Sequence, residues 1–157
     1  MKKQIISSFL VCVATILLVG CASSPRNTYS LASAQFPQLS SGQGRIYFYR
    51  WKEGVVNGES KNTKISLNDQ KLGTLRSHCF FFADKPAGVY FVKCQTGLFD
   101  PKQGEHKLVF TLNAGETKFI RVTEYWAPIT SDAVPTLEDE NSAIANLSLC
   151  VYTPFDN

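Results

Sequence analysis

His78 stands beside Cys79, and His106 lies further along the chain. These are the side chains from which a nucleophile with its general base, or a metal site, would be assembled. Neighbouring residues on an extended strand point to opposite faces, so the His78 ring and the Cys79 sulfur cannot meet directly. The sequence also lacks HExxH, CxxC and GxSxG, the spacings that bring metal ligands or an activated serine together. Asp69, Asp84 and Asp100 each sit among turn residues, where a carboxylate bonds local backbone. The expectation is a chain with no catalytic residue and no metal. A small envelope hydrolase or metal-binding protein using His78, Cys79 or His106 is the competing reading.

A different chemistry is written at Cys21. Lys2 and Lys3 give a positive start, Phe9 to Val19 is an almost wholly apolar run, and Gly20-Cys21 ends it before a polar stretch. That is the layout of a secretory signal, and it is shorter than the ~20 apolar residues needed to span a bilayer. Leu18-Val19-Gly20-Cys21 resembles the lipobox of bacterial lipoproteins. The resemblance implies a diacylglyceryl thioether on Cys21, cleavage before it, and acyl chains such as palmitate as the only covalent additions. Each buried methylene contributes ~0.8 kcal/mol, so several acyl chains anchor the protein without crossing the membrane. Ala22 follows the cysteine where an Asp would signal inner-membrane retention, which implies an outer-membrane anchor facing the periplasm.

Residues 1–20 therefore read as a signal, residues 21–43 as a lipidated Cys with a flexible tether, and residues 44–157 as the folded domain. The tether is rich in Ser, Ala, Gln, Pro and Gly without sustained periodicity, with packing of Tyr29 to Phe36 as an edge strand the alternative. Removing the signal takes Lys2 and Lys3 and no acid, leaving 14 basic against 13 acidic residues from the original 16 and 13. A charge near neutrality gives no electrostatic case for nucleic acid. The membrane, reached through the anchor, and an envelope protein or glycan are the expected partners.

From Gly44 onward, short segments rich in aromatic and β-branched residues are punctuated by turn chemistry. Arg45 to Trp51 alternates Ile46, Phe48 and Arg50 against Tyr47, Tyr49 and Trp51. Lys64 to Leu67 and Lys71 to Arg76 flank Asn68-Asp69 as a hairpin. His78 to Ala83 with Val89 to Gln95, and His106 to Leu112 with Thr117 to Glu124, read as two more. The spacing predicts an all-β protein, a single antiparallel sandwich with a short C-terminal helix. That helix follows Thr136 and Asp139, which have capping-box spacing, and would place Ile144 and Leu147 on one face. Leu147 to Tyr152 returns as a last strand.

In an oxidising compartment Cys79, Cys94 and Cys150 are expected to pair. If Asp84 faces Val89 across Lys85-Pro86-Ala87-Gly88, Cys79 falls opposite Cys94, within disulfide range. A Cys94–Cys150 bridge is the alternative, since a one-residue slip destroys that register. Trp51, Tyr125 and Trp126 fall at strand ends, where an aromatic face stacks on a sugar or joins a partner interface. Capping the open end of the core is the competing use of these rings.

Three stretches, GRIYFYR, ISLNDQKLGTLRSHCFFFADKPAGVY and LNAGETKFIRV, are similar to the domain of unknown function 2846 of bacterial lipoproteins. The matching positions are Arg50, Asp69 and Gly73, Pro86 and Gly88, and Ala114 to Thr117. The middle portion also resembles PEGA-type surface domains. Gln70 follows Asp69 where Gly is usual, and Ala87 separates Pro86 from Gly88. The resemblance implies a β-rich envelope domain and carries over no catalytic residue. Replacing Cys21 with Ser is expected to leave an unprocessed precursor that takes up no labelled fatty acid; normal labelling of that variant would rule out the anchor.

Overall fold

The computed structural model describes residues 28–51, 62–96, 106–126 and 131–154. The signal and Cys21 lie outside these residues. The elements in chain order are α1 (Tyr29–Ser33), β1 (Gln43–Arg50), β2 (Thr63–Leu67), β3 (Gln70–Leu75), β4 (Cys79–Pro86) and β5 (Gly88–Thr96). They continue with β6 (Lys107–Leu112), β7 (Thr117–Trp126), β8 (Ser131–Glu138), α2 (Glu140–Leu147) and β9 (Val151–Tyr152). A five-stranded sheet, in the order β8-β7-β1-β4-β9, packs on a four-stranded sheet, in the order β3-β2-β5-β6. The fold is an all-β sandwich with a short C-terminal helix, as the alternation of apolar residues predicts. The five-stranded sheet is mixed, because β1 runs parallel to β7 and β4 parallel to β9.

The first hairpin forms as expected. Leu67 pairs with Gln70, and Asn68 and Asp69 between them have φ of 50° and 63°, the left-handed geometry of a two-residue turn that matches strand twist. The second and third hairpins do not form. β4 and β5 belong to different sheets, as do β6 and β7. Each pair of strands instead sets its apolar row against the other across the sandwich: Phe81 and Ala83 against Val92, and Phe110 and Leu112 against Ile120 and Val122. Burial on two layers removes more apolar surface from water than a flat hairpin would. The links are corners held to the start of β1. Ala87 N–H donates to Gly42 O at 2.9 Å, and Gly115 N–H to Gln43 O at 2.8 Å.

That crossing removes the register on which a Cys79–Cys94 bridge depends. Cys79 is level with Arg50 and Val151 in one sheet, and Cys94 with Ile65 in the other. Cys79, Cys94 and Cys150 are all free thiols, so neither expected pairing is made.

A second cluster covers the outer face of the five-stranded sheet. Tyr47, Tyr49, Phe80 and Phe119 are buried there beneath Ala32 of α1, Ala143 and Leu147 of α2, and Cys150. Phe36 packs on Phe82 with ring centroids 4.4 Å apart and on Tyr152 at 5.0 Å. The consecutive rings Phe80, Phe81 and Phe82 thus have cover on both faces of β4. Residues 28–43, read from composition as tether, belong to the folded body, and their helical turn forms under tertiary packing. α2 begins after Asp139, whose carboxylate accepts the Ser142 N–H at 3.0 Å, so the cap is Asp139 rather than Thr136. Leu147 is buried, whereas Ile144 faces solvent.

At Gly44 the chain passes very close to the β6–β7 corner. A Cβ there would lie 2.7 Å from Asn113 O and 2.8 Å from Glu116 O. At Gly88 the nearest atom would be 3.7 Å away, which is ordinary contact. Gly44→Ala is expected to cost about 1–3 kcal/mol from overpacking, with Gly88→Ala causing much less. Denaturant unfolding of the two variants checks this.

Candidate functional site

The candidates for catalysis are not brought together. His78 occupies the β3–β4 turn with φ 56°, its Nδ1 3.2 Å from Ser77 Oγ. Cys79 opens β4, which lies beside the β9 edge of its sheet. His106 precedes β6 and places Nε2 2.5 Å from Asp132 Oδ2 on β8, the opposite edge. From β8 to β4 is three strand spacings, about 14 Å. The Cys79 thiol is half-buried, and desolvation raises its pKa, which opposes the thiolate a nucleophile needs. Among the described residues no three His, Cys, Asp or Glu side chains gather as a metal site.

The charges buried around β1 are paired. Arg45 forms a fork with Asp84, Nε to Oδ1 and Nη2 to Oδ2 both at 2.7 Å, and lies 4.3 Å over the Phe82 ring. Arg50 donates to Glu124 at 2.5 Å, and Glu124 also accepts from Thr63 Oγ1 at 2.7 Å. Tyr49 donates its hydroxyl to Glu138, whose carboxylate also pairs with Arg121 at 2.9 Å. Burial and the Glu138 carboxylate both hold the Tyr49 phenol in its neutral form. Fork geometry and full pairing are what let such charges sit under the sheet.

Trp51 and Tyr125 share one face and one end of the five-stranded sheet. Tyr49 is level with Arg121, so two residues further on Trp51 comes level with Thr123, with Tyr125 beyond. Trp51 packs against the outer cluster, and Tyr125 is 61% exposed. Trp51 Nε1 and Thr123 Oγ1 are buried without a hydrogen-bond partner among the described residues. The Trp126 backbone pairs with Ser131; its side chain lies outside the described residues.

Sequence reasoning missed one exposed surface, the outer face of the four-stranded sheet. Lys71 is level with Ser66, Ser66 with Lys93, and Lys93 with Lys107. These four residues form a single row across all four strands. Lys64, level with Gln95, lies next to it. Lys64, Ser66, Asp69, Lys71, Lys93 and Gln95 line a groove of about 520 Å³. Beyond the row the face turns apolar, with Val89 67% and Val109 58% exposed and Phe91 level with Val109. Lys93 Nζ and Lys107 Nζ lie 5.2 and 3.7 Å over the Phe91 ring. The available signal was a lysine at an outward position on each of these strands, but net charge conceals it.

Among the described residues, the two-layer β-sandwich has one face clad by helices and aromatic rings and one face that exposes lysines and valines. The sequence profile of DUF2846, described as a protein of unknown function, matches residues 40–133, and the chain belongs to that family. No curated protein matches it.

Burial pushes the Cys94 and Cys150 thiols up from 9.0 to about 12. The unfolded chain ionises these thiols first. Their contribution to stability is complete below the ordinary thiol value of 9.0 and is lost as pH rises toward 12. Unfolding midpoints are expected to fall through that window, less steeply in Cys94→Ala. Because the thiols are free, midpoints at neutral pH are expected to be the same with and without reductant.

Proposed function

We propose that the chain is an envelope lipoprotein, held at the outer membrane through acyl chains on Cys21 and facing the periplasm, whose domain is a non-catalytic binding module. One observation carries the binding role. The five-stranded sheet has helices and aromatic rings over its outer face, whereas the four-stranded sheet leaves Val89 and Val109 exposed beside a row of lysines. Apolar side chains left in water beside ordered charge are a common mark of an interaction surface. Trp51 and Tyr125 offer a second, smaller contact at the far end of the other layer.

The competing hydrolase reading has one observation in its favour, the close His106–Asp132 pair. A carboxylate behind an imidazole orients a general base. Cys79, the thiol named with it, lies across the sheet, so the pair lacks that nucleophile.

Crosslinking in living cells, followed by mass spectrometry of what is purified with the protein, is expected to recover a reproducible envelope partner from wild type and to lose it when Cys21 is replaced by Ser. Recovery of the chain alone, or hydrolase activity abolished by His106→Ala, would overturn the proposal.

A further inference from the structure

We infer that the bare outer face of the four-stranded sheet is a docking site for an acidic, partly apolar segment of a partner protein, an inference that rests on reading the chain as a binding module. The charge balance of the face points to an anionic occupant. Among the described residues, Lys64, Lys71, Lys93 and Lys107 are met there by one carboxylate, Asp69, 2.5 Å from Lys93 and largely exposed. Lys93 and Lys107 stand directly opposite each other on adjacent strands, an arrangement that costs stability. The Phe91 ring beneath both ammonium groups offsets part of that repulsion. An anion laid along the row removes more of it.

Three other occupants fit less well. A sugar polymer would stack on an aromatic face, but the Phe91 ring already lies under the Lys93 and Lys107 ammonium groups. A second copy of this chain, related by a two-fold axis, would set a lysine row against a lysine row. The face is also small, about 14 Å across by ~20 Å along the strands, or about 300 Å², against ~800 Å² per partner in a standard interface. In the lipoprotein reading an anchoring membrane is joined to the other side of the domain. Thr28 bridges Val151 at the β9 edge, and α1 packs on the outside of the five-stranded sheet. Residues 21–27, a reach of at most about 25 Å, would then connect the anchor to the layer opposite the basic face. An extended segment with acidic side chains over the lysine row and apolar ones over the exposed Val89 and Val109 matches both halves of the face.

The test uses the full lipidated chain in phosphatidylcholine nanodiscs. Its probes are a labelled peptide alternating Glu and Leu, the same peptide with Lys for Glu, oligogalacturonate, and phosphatidylglycerol vesicles. The Glu–Leu peptide is expected to bind best, and to weaken about tenfold in Lys71→Glu/Lys107→Glu and as salt is raised. Lys85→Glu, on the other layer, is expected to bind it as wild type does. Thermal melts of the variants verify their folding. Tighter binding of the glycan or the vesicles, or peptide binding unchanged in the double variant, would overturn the inference. A photo-crosslinker at Val109 in cells is expected to capture an acidic, apolar peptide of an envelope protein. Capture of a partner only at other positions would sink the docking face while leaving the binding-module reading intact. Failure to recover any partner would sink both.

Discussion

Burial of β1 on both faces is the constraint from which the rest of the architecture follows. Seven of its eight residues, Gly44 to Arg50, are buried. Ile46 and Phe48 face the four-stranded sheet, while Tyr47 and Tyr49 face the outer cluster. A strand with apolar or aromatic residues in both phases needs a layer on each side. The second sheet supplies one, and α1, Phe36, α2 and Tyr152 supply the other. The two arginines that flank this strand's apolar run must then be neutralised in place. Asp84 does so for Arg45 from the antiparallel neighbour, and Glu124 for Arg50 from the parallel one. These pairs fix which strands lie beside β1 and in which register, because leaving either arginine buried without its carboxylate is strongly destabilising.

The two layers divide the labour. The five-stranded sheet carries most of the aromatic rings, the buried ion pairs and the two described helices, so its outer face is occupied by the protein's own chain. The four-stranded sheet contributes its inner residues to the shared core and leaves its outer residues to solvent. Its outward positions are therefore freed from packing, and four of them are lysine. Positions relieved of structural duty are where surface chemistry can vary without affecting the fold. The buried side of the same strands, Ile65, Leu75, Val92 and Leu112, holds that platform rigid.

Local signals in the sequence were sufficient for local structure. Asn68-Asp69 specified its hairpin because two residues at positive φ are a property of the turn itself, and the alternation in Arg45 to Trp51 specified a strand. Long-range pairing was not legible. Asp84-Lys85-Pro86-Ala87-Gly88 has the length and composition of a hairpin loop, yet it is a corner between layers. What decides the matter is the burial of Phe81 and Val92 across the sandwich, which no local pattern states. The cysteine pairing failed with that register. The helical turn at Tyr29 escaped notice because Ser and Ala carry no periodicity, and its reason for existing is the Tyr47 and Phe80 surface it covers. The lysine row was invisible for a related cause: each strand shows its own outward lysine, but only the order β3-β2-β5-β6 aligns them.

The neighbours of β4 bear on when this domain can come into being. β9, the last strand, lies against β4, and Thr28 at the other end of the described chain bridges to β9. β1 is joined in parallel to β7, more than sixty residues later. Contacts of such long sequence separation slow folding, because loop-closure entropy is lost before they form. A nascent chain of this kind has no self-sufficient N-terminal half: the outer cluster stays open until Leu147 and Cys150 have been synthesised. The cover over Tyr47 and Phe80 is therefore completed late, by residues made about a hundred positions after the strand they protect.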